Sequence, residues 1–221
     1  MSEPTRTAEE PRAATPIAGA IAGILFALTF SAAIVLIATT MAKPSVDTGQ
    51  WLESGAVRIK LALSLMPFAG IFFLWFIAVA RQHLGRSEDQ FFATVFLGSG
   101  LLFLAMVFWA SASAGALLAA YARDPARFAG TSTFLYARLS FAEVFNVFAL
   151  RMAAVFILSQ ATLWMRTRVM PRWLAVVSYA VAAFLLFVVS YSTWVVLAFP
   201  AWVLLVSSYI LIEAIRRPSA S

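Results

Sequence analysis

The chain has 221 residues, of which 62% are hydrophobic and 12% charged, and its mean hydropathy is +0.89. Soluble globular domains are closer to half apolar and a quarter charged. This composition excludes a disordered protein, a nucleic-acid-binding module and an ordinary cytosolic enzyme, and it favours a helical integral membrane protein. The net charge of +6 is not a sign of nucleic-acid binding, because all basic residues but one lie between or beside apolar runs, where they orient membrane proteins.

Charge-free runs predict the domain organisation. Residues 1–15 mix charges with Ser, Thr, Pro and Ala, which predicts a short disordered cytoplasmic tail, and residues 16–217 form the predicted transmembrane domain. A helix needs roughly 20 apolar residues to cross a bilayer. Six apolar runs of 17 residues or more are candidate spans, at about residues 17–42, 61–80, 91–121, 139–165, 173–189 and 194–213, and the fourth alone carries charges in its interior.

Two apolar stretches are longer than one membrane crossing requires. The third, Phe91–Tyr121, is longer than the bilayer requires, so it must tilt strongly or project from the membrane. The segment Trp173–Ile212 has 40 residues without a charge. As a single helix it would extend roughly 60 Å, so it must fold back, and we place the break at the polar cluster Ser190–Thr193.

The distribution of Lys and Arg predicts the orientation. With six spans both termini share one side, which holds nine basic residues, against six on the other side and Arg151 within the membrane. The short loop Arg166–Arg172 alone has three Arg, whereas the loop between spans five and six has none. The expected fold is therefore an all-α bundle of six transmembrane helices with both termini cytoplasmic, in a bacterial-type cytoplasmic membrane.

The first span carries a stripe of small residues at four-residue spacing. Its members are Gly19, Gly23, Ala27 and Ser31. Small residues on one helix face let two helix backbones approach closely. We predict a helix-packing surface here, which more often pairs with a helix of the same chain than with a second copy.

The fourth span contains the polar residues of greatest interest. At about 100° per residue, Glu143, Asn146 and Gln160 fall within an arc of about 120°, which predicts that they face the bundle interior. Arg151 lies roughly 18 Å below Leu139 along the axis, near the middle of the membrane. On this regular helix Glu143 and Arg151 are about 80° apart.

Two roles for Arg151 remain open. In the first it binds an anion or gates an ion or solute path, with Glu143, Asn146 and Gln160 lining that path. In the second it bridges backbone carbonyls and hydroxyl groups and locks helices together. An Arg at the midplane faces lipid only at high cost, so the fourth span is either the central helix or meets another subunit. We therefore expect a homo-oligomer, with a dimer favoured.

Chemistry-bearing residues are scarce. The chain has no Cys and a single His, His83, so thiolate chemistry, disulfides and Cys-ligated metals are excluded. No span has paired carboxylates or a nucleophile beside a basic partner. We predict that the protein is not an enzyme and that it has no catalytic residue, metal or cofactor.

Two functional hypotheses follow. The first is a small channel or transporter-like protein that handles an ion or small anionic solute, with Arg151 in or near the path. The second is a non-transporting scaffold or interaction subunit in which Arg151 locks helix packing. In addition to the lipid bilayer itself, the surplus positive charge of the outer loops leaves two interpretations open: it attracts an anionic lipid or a small anion, or, as is more common, these residues are simply solvated or snorkel to the interface.

Two stretches resemble a known group of proteins. They are RMAAVFILSQATLWMRTRVMPRWLAVVSY at residues 151–179 and RQHLGRSEDQFF at residues 81–92. Both are similar to stretches of small six-span membrane proteins of bacteria, particularly actinobacteria. The resemblance covers most of the chain after the tail and implies the six-span topology, and that group has no known function to transfer.

Overall fold

The computed structural model describes residues 14–41, 50–82, 90–128, 131–188 and 193–216. In these ranges every regular element is helical and none is a strand. The elements are α1 (Ala14–Met41), α2 (Gln50–Gln82), α3 (Gln90–Arg123), α4 (Pro125–Phe128), α5 (Ser132–Glu143), a π-helical segment (Val144–Ala149), α6 (Leu150–Thr167), α7 (Arg172–Phe187) and α8 (Thr193–Arg216).

Five helical stretches are long and apolar enough to cross a membrane. They are Ile17–Thr40, Gly55–Arg81, Phe91–Arg123, Ser132–Thr167 and Val195–Arg216. The protein is thus an all-helical bundle of the multi-pass membrane type. Helix α7 is also apolar but has only 16 residues, about 24 Å, which is shorter than the roughly 30 Å of bilayer hydrocarbon.

The helix bounds differ from the predicted spans in an informative way. The 40-residue apolar run is divided, since α7 ends at Phe187 and α8 begins at Thr193; the rest of the predicted break, residues 190–192, lies outside the described residues. Helix α2 begins at Gln50 and α5 at Ser132, well before the predicted spans. The added turns contain charged residues, which is why the predicted spans did not include them.

The small-residue stripe of α1 packs inside the chain. A Cβ added to Gly19 would collide with Val79 of α2. A Cβ added to Gly23 would collide with the hydroxyl of Ser207 on α8 and would lie 2.8 Å from the Phe76 ring. Ala27 is buried and Ser31 half-buried. Glycine is therefore needed because α1 lies closely against both α2 and α8.

Aromatic rings fill the place where five helices meet. The Phe199 ring of α8 lies 5.9 Å from Phe26 of α1, 5.7 Å from Phe73 of α2, 4.7 Å from Phe103 of α3 and 6.2 Å from Phe156 of α6, between centroids. All five side chains are at most 2% exposed. Aromatic pairs in this distance range attract each other beyond the effect of burial alone, so these rings hold the centre of the bundle together.

A second, smaller core lies apart from the aromatic centre. It consists of buried residues from α2, α3 and α5, namely Ile59, Leu117, Leu118, Tyr121 and Phe134. This cluster explains why the charged turns before the predicted second and fourth spans are helical. Each of them buries one apolar edge against the end of α3, and Arg58, Lys60 and Arg138 are exposed.

Replacing Gly23 by Ala tests the close approach of α1. Overpacking a well-filled site typically costs about 1–3 kcal/mol, and we expect Gly23→Ala to lower the free energy of unfolding in detergent by an amount in that range. The matched control is Gly98→Ala on α3, where an added Cβ meets nothing within 4 Å and helix propensity favours Ala by about 1 kcal/mol. Adding Ser207→Ala to Gly23→Ala removes the colliding hydroxyl and should restore part of the loss. Equal effects of the two glycine substitutions would contradict this packing.

Candidate functional site

The predicted polar residues lie on one uninterrupted helical stretch. Helix α5 begins at Ser132, and its N-cap is Thr131, whose side-chain oxygen accepts a hydrogen bond of 3.2 Å from the backbone N–H of Phe134. The stretch continues through the π-helical segment into α6 and covers 36 residues in all. The π-helical segment lies directly between Glu143 and the turn that carries Arg151, and it contains Asn146.

The π-helical segment changes which residues share a face. Its backbone hydrogen bonds span five residues instead of four, so it holds one residue more than the same stretch of α-helix. All residues after it are therefore turned back by about 100° relative to a regular helix. With this correction Glu143 and Arg151 lie about 20° apart on the helix, rather than the 80° expected from the sequence.

The predicted interior position of Glu143 is wrong for packing within the chain. Gln160 is 2% exposed and Ala153 is fully buried, whereas Asn146 is half-buried and Glu143 is exposed. The arc that joined these residues assumed a regular helix. After the one-residue correction Glu143 lies about 160° from Gln160, so the two side chains are on opposite faces.

Arg151 is half-buried on the same face as Glu143. Its Nη1 donates a 2.7 Å hydrogen bond to the backbone carbonyl of Val147, which belongs to the π-helical segment. The side chain thus runs along its own helix towards α5. One of the five guanidinium N–H groups is used in this bond. The bond is to a backbone carbonyl, as the packing role of Arg151 predicts, but it does not join two helices.

Asn146 forms the same kind of local contact. Its Nδ2 donates a 2.9 Å hydrogen bond to the carbonyl of Ala142, one turn earlier. The four predicted site residues therefore do not converge. Glu143, Asn146 and Arg151 lie along the outer side of the helix, and Gln160 alone enters the interior.

Two polar side chains in the interior have an atom without a hydrogen-bond partner in the described part of the chain. They are Gln160, through Oε1, and Ser207, through Oγ. Gln160 lies one turn from Phe156 and one turn from Trp164, and the Trp202 ring is 6.3 Å and 6.1 Å from these two rings. Buried polar atoms normally have a partner, so both residues merit attention. Sequence reasoning missed Ser207, because a single Ser in an apolar helix carries no signal.

Other polar groups, buried or half-buried, form hydrogen bonds between helices. The Trp202 indole donates a 2.8 Å hydrogen bond to Ser178 Oγ, which donates in turn to the Leu174 carbonyl at 2.7 Å. The hydroxyl groups of Thr162 and Tyr179 are 3.0 Å apart. These contacts connect α8 and α6 to α7, and they were not predicted because the partners are distant in sequence.

Deleting one residue tests the role of the π-helical segment. Removing Phe148, whose side chain is 51% exposed, would convert the segment to regular α-helix while the buried faces of α5 and α6 stay aligned. We expect this variant to stay monodisperse in detergent. Removing Leu158 from regular α6, where the side chain is 41% exposed, turns the two ends of the helix apart by about 100° and should abolish folding. Equal damage from the two deletions, measured by size-exclusion profile and thermal midpoint, would refute the one-residue account.

No group of three or more His, Asp or Glu side chains in the described ranges is placed to hold a metal ion. Comparisons of the chain with protein-family models, curated proteins and solved structures found no match. Its function must therefore be inferred from its own residues.

Proposed function

We propose that the protein is a multi-pass membrane scaffold or interaction subunit rather than a conduit. The observation that carries this proposal is the ring cluster around Phe199, which takes one aromatic side chain from each of five helices. An ion or small anion crossing a bundle needs polar groups or water to replace its hydration. Tightly packed Phe rings at the meeting point of the helices offer neither.

The position of Arg151 supports the same proposal. Its guanidinium is bonded to the backbone of its own helix, and on the regular helix α6 it lies about 180° from Gln160, on the side away from the aromatic centre. This arrangement satisfies part of a buried charge and stabilises a helix with irregular hydrogen bonding. A residue in a central path would instead face the inner side of the bundle.

For the topology we propose six spans with both termini in the cytoplasm, α7 being the fifth. The ends of α2, α6 and α8 carry Arg81, Arg166 and Arg216, as expected of cytoplasmic ends. The Arg166 guanidinium also lies 4.6 Å from the centre of the Phe92 ring, near the start of α3. A short fifth span is tolerated by local thinning of the bilayer.

This topology gives the protein an extension outside the membrane. Helices α2 and α3 have 33 and 34 residues, about 50 Å each, and the helix formed by α5 and α6 is at least as long. In this topology one end of each helix lies at the cytoplasmic surface, so the other end lies about 20 Å beyond the opposite edge of the hydrocarbon. The second core around Phe134 lies in this extension, which is the surface we propose for partner proteins.

We also propose a homo-oligomer, but its subunits would meet through a surface other than the small-residue stripe of α1. Gly19 and Gly23 contact α2 and α8 of the same chain, so the small-residue stripe does not supply the contact between subunits. A dimer would have to form through helix faces that are exposed in one chain.

The second candidate function is transport of an ion or small anionic solute, with Arg151 in or near the path. It is favoured by the two buried polar atoms that lack a partner in the described residues, on Gln160 and Ser207. It is also favoured by the π-helical segment, since such segments are frequent at functional sites.

The topology can be tested with single-cysteine variants, because the chain has no native Cys. We expect a membrane-impermeant thiol reagent applied to intact cells to label Tyr136→Cys, at a side chain 73% exposed on α5. It should leave Arg168→Cys, in the predicted cytoplasmic loop, unlabelled until the cells are opened. Labelling of Arg168→Cys alone in intact cells would invert the orientation.

Flux measurements separate the two candidate functions. Proteoliposomes containing the wild type should pass chloride, inorganic phosphate and potassium no faster than protein-free liposomes. Gln160→Leu and Arg151→Leu should leave this background unchanged. Flux above background in the wild type that either substitution abolishes would replace the scaffold with the transport function.

A further inference from the structure

We propose that the side-chain amide of Gln160 binds a buried water molecule in the interior of the bundle, between the rings around Phe199 and the loop that joins α6 to α7. The water donates a hydrogen bond to Oε1 of Gln160. This inference goes beyond the proposed function, because a water site inside the bundle requires neither a partner protein nor a path across the membrane.

Gln160 lies in the middle of the buried face of α6. Phe156 precedes it by one turn and Trp164 follows it by one turn, so the three side chains fall within about 80° of one another on the helix. The Trp202 ring of α8 lies 6.3 Å from the Phe156 ring and 6.1 Å from the Trp164 ring, between centroids. The amide is therefore bordered by aromatic rings of two helices.

The Oε1 atom of Gln160 is buried and has no hydrogen-bond partner in the described residues. The Trp202 indole does not supply one, because it donates to Ser178 Oγ at 2.8 Å. The Ser178 hydroxyl in turn donates to the Leu174 carbonyl at 2.7 Å. Buried amide oxygens are normally paired with a protein group or with ordered water, so water is the donor that fits Gln160.

Ser207 is the other interior residue with an unpartnered atom, and it occupies a different place. It follows Trp202 by five residues, which puts it about 140° away on α8. Its Oγ lies close to Gly23 of α1, where an added Cβ would collide with it. The unpartnered atoms of Ser207 and Gln160 therefore do not share one ligand.

Gln160 also has surface that a water molecule can reach. It is 2% exposed and Trp164 is 4% exposed, whereas Phe156, Ile157 and Ala161 are not exposed at all. This residual surface lies towards the end of α6. A buried water needs at least two polar partners, and its second hydrogen has acceptors available, because a helix carbonyl has two lone pairs and its N–H partner uses one.

Charge favours water over a cation at this amide. A Gln side-chain oxygen can also bind a metal cation, but a cation in an apolar interior needs a negative group close to it. The buried residues of the described ranges include no Asp and no Glu. A neutral ligand that donates a hydrogen bond therefore suits Gln160 better.

Solid-state NMR of the full chain in lipid bilayers tests the proposal. The protein is labelled on its four glutamines, of which Gln50, Gln82 and Gln90 lie at helix ends. We expect magnetisation from water protons to reach the Gln160 side-chain amide at the same short mixing times as the other three. The Gln160 signal is identified by its loss in Gln160→Leu. If that variant does not fold, Gln50→Asn, Gln82→Asn and Gln90→Asn combined leave Gln160 as the one labelled residue.

The matched control is Ser159→Ala. It removes a buried hydroxyl next to Gln160 that donates to its own helix, at the Val155 carbonyl, and it should leave the transfer to Gln160 unchanged. Loss of the transfer in this control would contradict a water bound by the Gln160 amide.

Two further results would overturn the proposal. The first is a Gln160 signal that is absent at mixing times at which the other three glutamines have reached full intensity, which would indicate a dry amide. The second is a lower thermal midpoint or a weaker Gln160 signal when sodium and potassium are replaced by a large organic cation. That result would assign the site to a metal ion instead of water.

Discussion

Ring packing around Phe199 is the contact on which the bundle depends. Lipid tails are as apolar as Phe, so helices in a membrane gain little from hiding apolar surface and associate through close, complementary contact. The rings of five helices supply that contact, and glycines make room for them: a Cβ on Gly100 would lie 3.0 Å from the Phe156 ring. Arg151 lies outside this centre, half-buried on the far side of α6.

Charge-free runs in the sequence locate the apolar helices well, because a bilayer requires about 20 apolar residues wherever a helix crosses it. They do not locate the amphipathic turns of α2 and α5, whose helical structure depends on the distant Leu117 and Tyr121 of α3. The faces of the fourth span were assigned on a constant angle per residue. That assumption fails at the π-helical segment, and no residue of its sequence VFNVFA predicts a π-helix.

Polar side chains in these helices mostly bond to their own backbone. Ser99, Ser111 and Ser159 each donate to the carbonyl four residues earlier, and Asn146 and Arg151 do the same with longer side chains. Such bonds require no contact with another helix, so any helix in lipid can form them. A polar residue in a span is therefore a weaker sign of function than a buried polar atom that has no partner in the described residues, as with Oε1 of Gln160 and Oγ of Ser207.

The link between α6 and α7 bears on how the chain folds. Arg168 adopts a left-handed backbone conformation (φ 55°) and ends α6, and α7 begins at Arg172. A loop this short loses little entropy on closure, so the two helices can pair soon after both are made. The Thr162–Tyr179 contact is local to this hairpin, whereas the Ser178–Trp202 bond needs α8. Within this hairpin the Ser178 hydroxyl already donates to the Leu174 carbonyl, and α8 adds the Trp202 indole as a donor to the same oxygen.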